Sequence, residues 1–136
     1  MRIWHKDLIP VLPRQQLLGQ WRELCLIARN IYEKGTPNHI LVNRVMDYPI
    51  GHLFRYAQMI YWEMDRRGYR CNWNKFENNF SYRLMHMPSD ERLFEGWHNK
   101  EYLIQCYYNL EEKYFCGGIS KEDFIKIWEV YHEALR

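Results

Sequence analysis

The pattern of apolar and polar positions predicts an all-helical chain. Apolar residues recur at the three- and four-residue spacing of a helix face, and no useful length of sequence alternates apolar and polar residues as a strand does. The predicted helices cover residues 13–33, 36–46, 50–67 and 99–114, and a last helix follows Ser120. Residues 1–12 are expected to be irregular, because Pro10 and Pro13 interrupt helical hydrogen bonding. The prediction is a compact all-α fold, one domain over residues 1–136, with about four to six helices and an irregular N-terminal segment.

Local signals mark some helix ends, and residues 69–98 are the least regular stretch. Thr36 followed by Pro37 is typical of an N-cap and first turn. Pro88 and Ser89 are typical of a turn, after which a further helix start is expected. The aromatic residues of this stretch could pack a short helix or a structured loop, and three of them could instead stack on bases. These three are Trp73, Tyr82 and Trp97.

The first long helix carries the best candidate site. Its predicted core face consists of Leu17, Leu18, Trp21, Leu24, Cys25 and Ala28, and its other face of Gln15, Gly19, Arg22, Glu23, Leu26 and Arg29. A glycine in mid-helix costs about 1 kcal/mol relative to alanine, so Gly19 suggests a close approach of something to the backbone. The pair Arg22 and Glu23 beside this small residue, on a helix close to the amino terminus, is therefore the first candidate.

Composition excludes several classes of protein. No apolar run approaches the length of a membrane span, and the amino end lacks the apolar stretch of a signal peptide. The four cysteines form no C-x-x-C pair, which favours reduced thiols in a cytosolic protein over a structural zinc site. No two histidines stand three or four residues apart, so no helical metal pair is expected. Arg2, Lys6, Arg14, Arg22 and Arg29 make the first thirty residues basic, which attracts phosphates, although a solvated basic face is the commoner explanation.

The amino terminus is a candidate nucleophile. An α-amine has a pKa of roughly 8, so part of it is neutral at neutral pH and can form an imine with an aldehydic sugar carbon. Met1 is followed by the bulky Arg2 and is expected to escape methionine removal. Glu23 could stabilise positive charge at such a sugar or move a proton. Taken alone, most amino termini are inert and most helical glutamates are solvated, and His5 gains interest only because it lies close to Met1.

The opening MRIW…RQQLLGQWREL resembles that of the phage endonuclease V-type pyrimidine-dimer DNA glycosylases. It is closer still to their bacterial branch, which opens MR(L/I)WH and continues LIPxLPRQQLLGQ. Residues 55–69 and, more weakly, 98–114 resemble two further helices of that family. The resemblance implies a compact all-α fold and a bifunctional DNA glycosylase/AP lyase. In that family the N-terminal amine attacks the deoxyribose C1′, displaces the damaged base and permits strand cleavage by β-elimination.

Carried over by position, the resemblance assigns Met1 as the amine and Glu23 as the catalytic carboxylate. The implied DNA-binding residues are Arg2, Arg14, Gln15, Gln16, Arg22 and Arg29, with His5 and Gly19 in possible supporting positions. Leu26 stands where the family has a phosphate-binding arginine, for which Arg29 could substitute, and Gln16 stands where it has a histidine.

The expected substrate is double-stranded DNA that contains a pyrimidine dimer or another damaged or modified base. No metal, cofactor or membrane is expected to take part, and the chain is expected to act as a monomer in the cytoplasm of a bacterial or phage-infected cell. The alternative is a non-catalytic DNA-binding module that retains the fold. A third interpretation, an interaction protein, rests only on the unmatched aromatic segment.

Overall fold

The computed structural model describes residues 1–80 and 86–136, and every regular element within those ranges is helical. The α-helices are α1 (Arg14–Lys34), α2 (Ile50–Arg66), α3 (Asn74–Glu77), α4 (Lys100–Phe115) and α5 (Lys121–Ala134). Two 3-10 helices, Lys6–Val11 and Asn43–Asp47, complete the set. The all-α prediction is confirmed. None of the helices in the described ranges combines the length and the apolar character that crossing a bilayer requires.

The ends of the long helices follow the local signals. Gly35 adopts a left-handed conformation, with φ of 73°, directly after α1, and Gly68 does so after α2 with φ of 80°. Asn99 and Ser120 cap α4 and α5, because each side chain accepts a hydrogen bond from the backbone N–H three residues later. The predicted bounds of α1, α2 and α4 agree with the structure to within one residue.

The predicted helix over residues 36–46 is wrong. The Thr36 hydroxyl accepts a hydrogen bond from the Asn38 N–H at 3.2 Å in an exposed turn, and Asn38 has a positive φ of 60°. A left-handed residue ends a helical path, so only the short 3-10 helix Asn43–Asp47 forms in this stretch.

Two further predictions are corrected. After Pro88 the chain makes successive hydrogen-bonded turns and forms no helix, because Phe94 and Gly96 have positive φ values of 52° and 87°. The pattern of α5 puts Trp128 on one side of the helix with Phe124, Ile127 and Tyr131, but Trp128 is 48% exposed whereas Ile127 and Tyr131 are buried. Tyr82, which was expected to pack or to stack on bases, lies outside the described residues.

The first twelve residues contribute directly to the hydrophobic core, which the sequence did not indicate. They are also less irregular than predicted: Lys6–Val11 is a 3-10 helix that contains Pro10 and is capped by the His5 side chain. This segment packs against α2 and α5, while α1 packs on α2 and α3. Stacking of Tyr107 on Tyr131, with ring centroids 3.8 Å apart, joins α4 to α5. Hydrogen bonds from the Arg2 and Trp4 N–H groups to Glu23 and Gln20 hold the amino terminus beside α1.

Candidate active site at the amino terminus

The amino-terminal arm, residues 1–5, lies along a polar stripe of α1. Ile3, Trp4 and His5 are buried, while Met1 and Arg2 are half-buried. The stripe consists of Gln16, Gln20 and Glu23, which share one side of the helix because they are four and three residues apart. Burial of the Ile3 and Trp4 side chains keeps the arm against α1. Polar side chains of the stripe bind the polar groups of the arm's backbone.

Gln20 makes most of the polar contacts between α1 and the arm. Its Oε1 accepts hydrogen bonds from the Trp4 N–H at 2.8 Å and from the Tyr56 hydroxyl at 2.9 Å. Its Nε2 donates to the Arg2 carbonyl oxygen at 2.8 Å and to Glu23 Oε2 at 3.4 Å. The Tyr56 hydroxyl oxygen also lies 2.6 Å from the Trp4 carbonyl oxygen, and its single proton is shared between this carbonyl and Gln20 Oε1. Helix α2 thus takes part in the same network.

The Glu23 carboxylate binds the backbone of Arg2, the residue that follows Met1. Its Oε2 accepts a hydrogen bond from the Arg2 N–H at 3.3 Å, in addition to the bond from Gln20. No direct ion pair joins the Met1 amine to this carboxylate in the described ranges; a contact through one water stays a prediction. The half-buried carboxylate therefore lies beside the backbone N–H of the second residue of the chain.

The arginines around this carboxylate form no ion pairs within the described ranges. Arg14, Arg22 and Arg29 are exposed along α1, and Arg2 is half-buried with its guanidinium 5.7 Å from the centroid of the Trp4 ring. Arg14 lies 5.0 Å from the Tyr69 ring. The expectation that Arg22 binds external phosphate requires this freedom, because an arginine neutralised by a neighbouring carboxylate binds phosphate less strongly.

Comparison with known proteins assigns the chain to a family. The family model for pyrimidine dimer DNA glycosylase matches residues 1–77, which are more than half of the 136 residues and include the arm, α1, α2 and α3. The chain belongs to this pyrimidine dimer DNA glycosylase family. No curated protein and no solved structure matches it. Membership makes this glycosylase an enzyme of DNA repair that acts on DNA, and the arm and α1 lie within the matched residues.

Gly19 of the glycosylase lies one helical turn from Gln15, Arg22 and Glu23. No described atom lies within 4 Å of the position that a Cβ of Gly19 would occupy, so the close approach expected there is not made by the described chain, and an approach by substrate stays a prediction. Gln15 is exposed, whereas Gln16 is half-buried and its Oε1 has no hydrogen-bond partner within the described ranges. The space above Gly19 is thus open, with a glutamine, an arginine and the candidate carboxylate one helical turn away.

His5 supports the arm. Its Nδ1 accepts a hydrogen bond from the Asp7 N–H at 3.1 Å, and its ring stacks on His98 at 5.0 Å. His98 Nδ1 in turn accepts from the Lys6 N–H at 3.0 Å. Burial lowers the pKa of both imidazoles, most strongly that of His98, and the nearby Lys6 lowers both further. Neutral rings suit this arrangement, because each Nδ1 must accept a hydrogen bond.

Sequence reasoning missed the residues that hold the arm from behind. Tyr102 of α4 donates a hydrogen bond to the Ile3 carbonyl oxygen, and Tyr56 and His98 are the other contacts described above. One signal was available for Gln20: it stands three residues after Leu17 and four before Leu24, in the register of the core face. A glutamine at a core position must find hydrogen-bond partners, and here those partners are in the arm.

Proposed function

We propose that the chain is a bifunctional DNA glycosylase/AP lyase whose nucleophile is the α-amine of Met1. The observation that carries the proposal is the hydrogen bond from the Arg2 N–H to Glu23, which sets a carboxylate beside the chain's first residue. The proposed substrate is double-stranded DNA with a pyrimidine dimer or another damaged or modified base.

The proposed reaction is redox-neutral and needs no metal or diffusible cofactor. The amine nitrogen attacks C1′, the bond from C1′ to the base breaks, and the base leaves with a proton. The amine loses a proton as the sugar ring opens at O4′, which takes up a proton and leaves a protonated imine at C1′. Loss of a C2′ proton then expels the 3′ phosphate oxygen and cuts the strand, and water hydrolyses the imine.

Glu23 is the proposed catalytic carboxylate. A carboxylate beside C1′ stabilises the positive charge that develops as the base leaves, and it can accept a proton from the attacking amine. The half-buried position strengthens the first effect, because charge interactions grow as water is excluded. The two hydrogen bonds to Glu23 Oε2 fix its orientation and leave the second oxygen for substrate.

The proposed DNA contacts rest on arginines that form no ion pair with the described residues. Arg2, Arg14, Arg22 and Arg29 would bind phosphates and hold the register on the duplex without reading sequence. The open space above Gly19 would admit the backbone or sugar of an extruded nucleotide, beside Gln15 and Gln16. The enzyme is proposed to act as a monomer, in the cytoplasm of a bacterial or phage-infected cell.

Borohydride trapping tests the proposal. The protein, carrying any tag at its carboxyl end, is mixed with duplexes that contain an abasic site, a thymine dimer or other modified bases, and is then reduced. We expect a covalent adduct with the abasic duplex and with at least one damaged base, which ranks the substrates. Extending the amino end by a few residues should abolish the adduct and leave non-covalent DNA binding intact. A non-catalytic DNA-binding module would form no adduct with any duplex.

A further inference from the structure

We propose that Gln20 is the positioning residue of the active site, which holds the nucleophile's backbone and the Glu23 carboxylate in one fixed relation. This inference rests on the proposed function. Gln20 does not touch the reacting atoms; it acts through the two groups that do. It is 1% exposed, and it lies in the interior between α1, α2 and the arm.

The carboxamide of Gln20 has a partner for each of its hydrogen-bonding sites. A glutamine side chain offers two acceptor sites and two N–H donors, and each of the four has a partner within hydrogen-bond distance here. One of these partners, the Tyr56 hydroxyl, shares its proton with the Trp4 carbonyl oxygen. The orientation of the amide is settled by its partners, because the Trp4 N–H can only donate and the Arg2 carbonyl can only accept. No other residue type has the same two donors and two acceptor sites at this reach.

Gln20 and Glu23 together bind three backbone groups of the arm. Glu23 accepts from the Arg2 N–H, and Gln20 binds the Arg2 carbonyl and the Trp4 N–H. These groups are a donor, an acceptor and a donor in order along residues 2–4, so the two side chains of α1 meet successive polar groups of the arm's backbone. Since Gln20 also donates to Glu23, one amide sets both the path of the arm and the orientation of the carboxylate.

Loss of this amide should leave the arm docked through the buried Ile3 and Trp4. The arm's backbone should then be able to shift along α1, because the hydrogen bonds that fix its position are lost. A displacement of about 1 Å between reacting groups can cost about 100-fold in rate. The effect should therefore fall mainly on the chemical step, because only Arg2 among the four proposed phosphate contacts binds Gln20 within the described ranges, and it does so through its backbone. A purely structural role predicts loss of both in proportion to the fraction of unfolded protein.

Gln20→Glu is the sharpest test. The ionised variant keeps an acceptor for Trp4 and Tyr56, but it cannot donate to the Arg2 carbonyl or to Glu23, and it adds a like charge beside Glu23. When protonated, it regains one donor. Glu63→Gln on α2, the reverse exchange at another buried position, is the matched control. The measurements are the single-turnover trapping rate on an abasic duplex, the Kd for that duplex, and the pH dependence of both.

We expect Gln20→Glu to slow trapping by about 100-fold at neutral pH with a Kd within about threefold of wild type. The ratio of variant to wild-type rates should rise as the pH falls from about 8 to about 5, because protonation restores a donor. Glu63→Gln should trap at the wild-type rate. If Gln20→Glu does not fold, Gln20→Met, which keeps the volume without the charge, gives the same comparison of rate against Kd.

Trapping by Gln20→Glu within about threefold of wild type, with the same pH profile, would overturn the positioning role and leave the proposed function standing. A proportional loss of rate and DNA binding would also overturn it. A wild-type protein that forms no adduct with any duplex would overturn the proposed function and this inference together.

Discussion

Two glutamate–arginine groups on neighbouring helices have opposite environments. On α2, Glu63 is 8% exposed and its carboxylate pairs with both Arg66 and Arg67, the latter with Nε at 2.7 Å. On α1, Glu23 accepts hydrogen bonds from the Arg2 N–H and from Gln20, and the adjacent Arg22 points to solvent without an ion pair in the described ranges.

The difference separates a structural group from a candidate active site. In the α2 group, the charge of the Glu63 carboxylate is neutralised by its own arginines. Arg67 also donates hydrogen bonds to the Leu12 and Pro10 carbonyl oxygens, which ties the end of the first 3-10 helix to α2. The α1 group keeps a carboxylate held by neutral donors and arginines available to phosphate. The two groups consist of the same residue types, so the sequence does not separate them. Their different hydrogen-bond and ion-pair partners are what indicates function.

The largest expected effect is that of Glu23→Gln. The substitution keeps the shape of the side chain but removes the charge and the capacity to move a proton, so cleavage of damaged DNA should fall by at least about 100-fold. The affinity for DNA should stay close to that of wild type, measured by fluorescence anisotropy. Cleavage within about tenfold of wild type would show that Glu23 is not the catalytic carboxylate.

Glu63→Gln should have the converse effect. It leaves two arginines without their shared carboxylate and should lower the free energy of unfolding by about 1–3 kcal/mol, a range reduced from that of fully buried pairs because Arg66 is exposed. Urea denaturation measures this loss. Trapping at a temperature where the variant is folded should be unchanged; a large loss of activity there would erase the distinction between the two groups.

Arg22→Ala should weaken DNA binding and change its salt dependence. Each phosphate neutralised contributes a slope of about −0.9 in a plot of log affinity against log salt, so the slope should become shallower by about that amount. Arg66→Ala is the control, since the α2 arginine is already paired, and its slope should match wild type. Equal slopes for all three proteins would mean that Arg22 contacts no phosphate.

The smallest expected effect is that of Gly19→Ala, which tests whether substrate uses the open space above Gly19. Alanine should stabilise the helix by about 0.5–1 kcal/mol, because nothing in the chain fills the space of the added methyl group. If substrate backbone approaches this point, the more stable variant should bind abasic DNA less tightly. Unchanged binding by a stabilised variant would remove Gly19 from the site.

The sequence predicted the helices whose ends depend on nearby residues. The residues Gly35, Asn99 and Ser120 act within one turn of their own positions, so their effects can be predicted without knowledge of the fold. The burial of Ile3 and Trp4 could not be predicted, because a short apolar segment without periodicity does not indicate which surface will cover it.

The site divides in the same way. Met1, Arg22 and Glu23 were predicted through their residue types and the family resemblance, and their catalytic roles stay predictions. Gln20 was missed because its partners come from the arm and from Tyr56, 36 residues away on α2. The core-face register of Gln20 indicates that its side chain needs partners, but only the folded chain shows which groups those partners are.

The most direct test of the central claim is to map the reduced adduct by mass spectrometry. Wild-type protein is trapped on an abasic duplex with borohydride, digested, and searched for the sugar remnant. The account predicts the remnant on the α-nitrogen of Met1. Lys6 is the nearest alternative amine along the sequence, but its Nζ donates to the carbonyl oxygens of Asp90 at 2.6 Å and Leu93 at 3.0 Å. A remnant on Lys6, or on any residue other than Met1, would contradict the assignment even if the enzyme removes damaged bases.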